Sequence, residues 1–119
     1  MALLLLDQIL SANDLKAETV SVPEWGGEAR VRRLTAAEVL DMDEAAKALD
    51  GADVAYAALV VAYTLCDESG QRLAATRQAA VDLAKAINAK GYGPVKALFA
   101  AARRLSRLGD DQAEEVRKN

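Results

Sequence analysis

Polar and apolar positions alternate in one stretch of the chain. Thr19-Val20-Ser21-Val22 and Ala29-Arg30-Val31-Arg32 both repeat with a period of two, the rhythm of a half-buried strand. Ala29 and Val31 fall on one face, Arg30 and Arg32 on the other. Between the runs lies Pro23-Glu24-Trp25-Gly26-Gly27-Glu28. Pro23 has no N–H to give a ladder and belongs at a strand end. The two glycines supply the positive φ of a tight connection. The pattern predicts a β-hairpin with strands near 17–23 and 28–34. A lone hairpin is marginal in water, so it must pack on helices or pair with another chain.

Elsewhere the apolar positions recur at helical spacing. Residues 2–12 predict a short helix with Leu3, Leu6 and Leu10 on one face, widened by Leu5 and Ile9. So wide a band needs a cover. Docking on the chain's own core is the expected one; a partner or a neighbouring subunit is the alternative. Thr35, with Glu38 three residues on, is a capping box and opens a helix over 36–49. Its stripe is Val39, Met42, Ala46 and Leu49, with Asp43 and Lys47 as an i,i+4 pair. Asp50-Gly51 stops it. Asp53 is the expected cap of the next helix, 54–66, which is apolar nearly all round and therefore central. Asp67-Glu68-Ser69-Gly70 is a turn. A fourth long pattern, 77–90, has Thr76 as cap and Ala80, Leu83, Ala84 and Ile87 as its stripe. Gly91-Tyr92-Gly93 breaks it, and Pro94 suits the first turn of a last helix, 94–108. That helix carries Val95, Leu98, Ala102, Leu105 and Leu108 and stops at Gly109. Residues 110–119 form a charged tail. The expected fold is α+β and mostly α: an N-terminal hairpin packed on a bundle of about four to five helices, one domain over 1–109.

Composition narrows the function. The chain has 119 residues and a net charge of −3. An acidic balance argues against a nucleic-acid-binding role, which usually shows a basic surplus. The chain contains no His, the commonest acid–base and metal side chain. The single Cys66 cannot form an internal disulfide. Aromatic residues are scarce, so a core of Ala, Val and Leu favours close helix packing over large aromatic pockets. MALLLLDQIL lacks the basic start of a signal peptide, and Asp7 interrupts its apolar run. The longest near-apolar run, residues 54–66, is too short to span a bilayer. A soluble cytoplasmic protein is expected.

Few side chains group as a reactive site would. Asp41/Asp43/Glu44, Asp67/Glu68 and Asp110/Asp111/Glu114/Glu115 resemble carboxylate clusters, but each falls in a turn, at a helix start or on a polar face. Cys66 has no His to activate it and adjoins an apolar helix, so a buried, inert thiol is expected. The glycines lack phosphate-loop spacing. No catalytic, cofactor-binding or metal-binding residue is assigned. The basic groups are Arg30/Arg32/Arg33 and Arg103/Arg104/Arg107. The second follows a helix–Gly–helix pattern, which keeps a helix-turn-helix DNA binder as an alternative. The leading half of that last helix, however, offers only Lys96 to a groove. Trp25 at the hairpin tip is either a binding anchor or a lid folded back over the helices. The candidate partner-binding residues are Trp25, Arg30, Arg32, Leu3, Leu6 and Leu10.

The stretch ETVSVPEWGGEARVRRLTAAE resembles the tail assembly chaperones of long-tailed, siphovirus-type bacteriophages and prophages. Those proteins often carry a strand, V-P-E-W-G-G, an Arg-rich second strand and a helix opened by L-T-x-x-E. VAYTLCDESGQRL is similar to their apolar helix followed by an acidic turn and a Leu. LSRLGDDQAEEVRKN is similar to their C-terminal ending. The segment after Leu73, Ala-Ala-Thr-Arg-Gln, departs from the acidic helix start that the family often has there. The resemblance implies a protein that performs no catalysis and needs no cofactor. It would bind the long helical tape measure protein in the bacterial cytoplasm and give way as tail tube protein subunits add. It would be absent from the mature virion, and in such systems a longer product often arises by translational frameshift. Self-association through an open hairpin edge is a further expectation. An unrelated helical adaptor remains the main alternative.

Overall fold

A computed structural model describes residues 2–50 and 52–106. Its fold is α+β and mostly α. The alternating stretch forms β1 (Ala17–Val22) and β2 (Gly27–Arg32). They pair antiparallel, with Thr19 opposite Arg30 and Val20 opposite Ala29. The connection is a single 3₁₀ turn, Pro23–Trp25, closed by the Gly26 amide donating to the Pro23 carbonyl at 3.0 Å. Of the two turn glycines it is Gly26 that takes the positive φ, at 82°, where a side chain would strain the backbone. Gly27 already belongs to the second strand, so the expected pair of turn glycines reduces to one.

The hairpin is part of a larger sheet. β3 (Leu65–Cys66) pairs antiparallel with the far edge of β2, giving the order β1-β2-β3 among the described residues. These two residues were expected to end the central helix. That helix, α3, instead runs Tyr56–Thr64, and the chain turns into an extended conformation at Leu65. β1 therefore keeps an outer edge, while the outer edge of β3 is met by Arg72 and Leu73, whose amide donates to the Leu65 carbonyl at 2.9 Å. Val22, Val31 and Leu65 share the inner face of the sheet and are buried. α5 (Tyr92–Ser106) lies against both β1 and β2.

α2 (Ala36–Ala48) starts as expected. The Thr35 hydroxyl accepts from the Glu38 amide at 3.1 Å, and the Glu38 carboxylate accepts from the Thr35 amide at 2.9 Å. Met42 and Ala45 are its buried positions. Lys47 pairs with Glu44 at 3.4 Å rather than with Asp43, an exposed contact of little energetic weight. Gly51 lies outside the described residues. α3 is buried on all sides from Ala58 to Thr64, which makes it central. Asp53 does not cap it. Asn88 does that work from the end of the next helix: its side chain accepts from the Ala55 amide at 2.8 Å and donates to the Asp53 carbonyl at 2.6 Å.

α4 (Arg77–Asn88) is capped by Thr76, whose hydroxyl accepts from the Ala79 amide at 3.1 Å. α5 begins two residues earlier than expected, and Pro94 falls in its first turn. α4 and α5 both pack on α3. Ala58, Ala62, Ala80, Ala84, Ala101 and Ala102 are all buried, and small side chains let the helices approach closely. Leu98 fills the middle of this core with no exposed surface, a burial that contributes about 1.5–3 kcal/mol. The end of α5 is tied to the hairpin: Arg33 Nε donates to the Leu105 carbonyl at 2.7 Å, and Arg104 pairs with Glu18 at 2.6 Å. Leu108, Gly109 and the charged tail, including the expected helix stop, lie outside the described residues.

The N-terminal segment departs most from expectation. Its helix, α1, spans only Leu6–Ser11, and none of its residues is buried. Residues 2–5 are not helical. An isolated helix this short has little to hold it. Its supports are local: the Gln8 side chain accepts from the Leu5 amide at 2.8 Å, and the Ser11 hydroxyl donates to the Asp7 carbonyl at 2.9 Å.

Candidate functional site

Leu3, Leu6 and Leu10 are 93%, 72% and 77% exposed. Leu4, Leu5 and Ile9 are exposed beside them. The expected docking of this band on the chain's own core is thus corrected. The core closes without it, because the sheet's inner face is already covered by α5 and α3. Six large apolar side chains on one short arm form an uncovered patch of the kind that marks an interaction site.

The outer face of the sheet carries the second candidate surface. Thr19, Arg30 and Cys66 stand side by side there through the strand register. Together with Ala29 and Leu65 they line an open groove of about 630 Å³. Trp25 and Leu73 also line it, both with exposed apolar surface. Trp25 is 36% exposed, so its indole is neither a free anchor nor a buried lid. Arg30 donates from Nη1 to the Thr19 hydroxyl at 3.3 Å. Burial pushes the Cys66 thiol up, and the facing Arg30 offsets part of that effect. The thiol is buried and stays protonated near neutral pH, with little nucleophilic character.

Arg32 lies on the same strand face but serves the interior. It is 7% exposed. Its Nη1 and Nη2 make a fork with the Glu38 carboxylate at 2.9 and 2.8 Å, Nε donates to the Gly70 carbonyl, and Nη1 also donates to the Arg33 carbonyl. These bonds engage all three of its side-chain nitrogens within the chain. The turn 67–70 folds over the strand and covers it. Burial alone would push the Glu38 carboxyl up, but the Arg32 guanidinium, the Thr35 amide and the nearby Arg72 outweigh that and hold it at about 2. Arg32 is raised in return, chiefly by its hydrogen bond to Glu38. Arg72 Nη1 lies 3.6 Å from Glu38, and its guanidinium stacks 4.5 Å over the Tyr63 ring. That stacking offsets part of the cost of burying Arg72 Nε and Nη2, which have no hydrogen-bond partner among the described residues.

Asp41 extends the network to α4. Its carboxylate accepts from the Tyr63 hydroxyl at 2.6 Å and from Arg77 Nε at 2.8 Å. Arg77 first, then Tyr63, holds the Asp41 carboxyl below its usual range. Burial, with Asp41 second, pushes the Tyr63 hydroxyl up to about 12. Asp41 was expected to be a solvated carboxylate; it is a junction between α2, α3 and α4. Asp67 meets expectation as a turn residue. Its carboxylate accepts from the Ser69 hydroxyl and from the Ser69 and Gln71 amides.

Sequence patterning overlooked Arg72 and Tyr63 because their contacts to Glu38 and Asp41 join distant segments, and it read Glu38 only as a capping residue, not as the partner of Arg32 six positions away. The basic group at the end of α5 is engaged within the chain where it is described. Arg104 pairs with Glu18, and the Arg103 guanidinium lies 5.9 Å from the Phe99 ring centre. Among the described residues no three His, Cys, Asp or Glu side chains converge as a metal site requires. No helix among them is long and apolar enough to cross a membrane. Compared with protein-family models, with curated proteins and with solved structures, the chain matches none.

Proposed function

We propose that this chain is a non-enzymatic tail assembly chaperone of a long-tailed bacteriophage or prophage. It binds the tape measure protein in the host cytoplasm and yields to tail tube protein subunits as the tube grows, so it is absent from the mature virion. The observation that carries the reading is the arm: Leu3, Leu4, Leu5, Leu6, Ile9 and Leu10 are all exposed on a segment that buries nothing of its own. A body that is complete without such a patch holds it for a partner. The hairpin agrees with the resemblance, since the V-P-E-W-G-G segment forms the connection between two paired strands. An elongated helical client exposes repeated apolar faces, and an apolar arm on an acidic body meets them while keeping the complex dispersed.

Co-expression with the tape measure protein of the phage or prophage that encodes this chain tests the proposal. The expected result is a soluble complex containing both proteins, with the tape measure protein insoluble when expressed alone. A tape measure protein that behaves identically with and without this chain overturns it.

A further inference from the structure

The arm leaves the groove on the outer sheet face without a role. We propose that this groove binds an apolar segment of the client flanked by Lys or Arg; the inference rests on the client-binding reading above. The volume, about 630 Å³, lies in the range of sites that enclose several side chains. Its apolar contacts are unusual for a sheet's polar face. Leu73 is 60% exposed and Trp25 is 36% exposed, and neither is needed to close the core. An aromatic beside an aliphatic side chain, both with apolar surface left to bury, is the make-up of a binding anchor.

Charge selects the occupant. Glu28, Asp67 and Glu68 line the same groove and are exposed. The hydrogen bonds from Ser69 and Gln71 hold the Asp67 carboxyl below its usual range, so it remains ionised. The one guanidinium present, Arg30, is directed at Thr19 and has its Nε buried. The groove therefore presents an apolar floor with a negative margin, which attracts cations and repels carboxylates. Neither the Leu-rich arm nor the acidic run of a second copy supplies that complement. The exposed arm carries Asp7 as its one charged side chain, and residues 110–115 are the acidic run. A segment of another protein with apolar anchors between basic residues does supply it.

Trp25 is the only Trp in the chain, so its fluorescence reports on the groove alone. The probes are two synthetic peptides without aromatic residues, with identical Leu positions and either Lys or Glu at the flanking sites. The Lys peptide is expected to shift Trp25 emission to shorter wavelength with saturation. Binding should weaken at least about tenfold in roughly 0.5 M salt, where charges are screened within a few ångströms. The double variant Glu28→Lys, Glu68→Lys should reverse the preference towards the Glu peptide. Both positions are exposed, so its thermal unfolding should match the parent, and a second variant, Leu73→Glu, should reduce Lys-peptide binding at least about tenfold. Equal response to both peptides, or a preference unmoved by charge reversal, overturns the proposal. A soluble complex with the tape measure protein together with an unresponsive Trp25 overturns the groove alone. A responsive Trp25 with no such complex overturns the chaperone reading and leaves the groove.

Discussion

Replacing Glu38 with Ala is expected to cost about 3 kcal/mol of folding stability, the lower end for removing one partner of a buried ion pair. For a chain of this length that lowers the melting temperature by roughly 10 °C. The size follows from what is left behind. Arg32 is buried and keeps only two carbonyl partners, and the opening turn of α2 loses half of its capping box. Arg72, already short of hydrogen bonds, loses its nearest carboxylate. The effect carries a pH signature. Glu38 has its pKa lowered from 4.5 to about 2 in the folded chain. A depressed carboxyl stabilises the fold fully above its unfolded value and loses that contribution as pH falls through the folded one. The stability gap between the parent and Glu38→Gln should therefore be constant above about pH 4.5 and close between there and about pH 2. Chemical denaturation of both proteins across this range checks it. A gap that is small at neutral pH, or that does not change on acidification, contradicts the network described for Glu38.

The second large effect is on binding and leaves stability alone. Changing Leu3, Leu6 and Leu10 together to Ser should leave the melting temperature unchanged, because none of the three is buried in the free chain. Exposed substitutions away from caps and core usually fall within about 0.5 kcal/mol. Complex formation with the tape measure protein should fall by at least about a hundredfold. Each Leu buried at an interface contributes on the order of 1.5 kcal/mol or more, and about 1.4 kcal/mol is a factor of ten in affinity. Size-exclusion chromatography of co-expressed proteins, with thermal unfolding of the variant, separates the two readouts. Loss of folding in the variant would show that the arm supports the core. An undiminished complex would place the client elsewhere.

Local chemistry in this chain was legible. Thr35 and Glu38 satisfy each other's backbone groups within one turn of helix, and the Thr76 hydroxyl caps α4 by accepting from the Ala79 amide. The alternation around Trp25 yields paired strands because both runs and their turn lie within one short segment. What depends on distant neighbours was not legible. Leu65 and Cys66 continue an apolar run and read as helix; they become strand because β2 offers them an edge. Arg32 alternates to the polar face, which predicts exposure. It is buried because the turn at Gly70 and the start of α2 meet above it. The Leu-rich arm shows the same limit from the other side. Its spacing specifies an apolar band, but whether the core has room for that band is a property of the whole packing. Here α3 and α5 had already filled the sheet's inner face.

The hairpin tip and the surroundings of Trp25 divide along the same line. A motif tip carries its conformation with it: Pro23 begins the turn and Gly26 closes it with a left-handed residue. The surroundings of the indole come from the 65–73 segment, far away in sequence. That is why the groove is absent from any reading of the hairpin alone, while the hairpin itself is not.

Amide hydrogen exchange, measured on the free chain and again on its complex with the tape measure protein, probes the matter most directly. In the free chain the amides of residues 6–11 should exchange almost as fast as in an unfolded peptide, while those of α3 and α5 are strongly protected. In the complex the arm should become protected and the core should not change. Strong protection of residues 6–11 in the free monomer, or an arm equally unprotected with and without the client, would contradict the account.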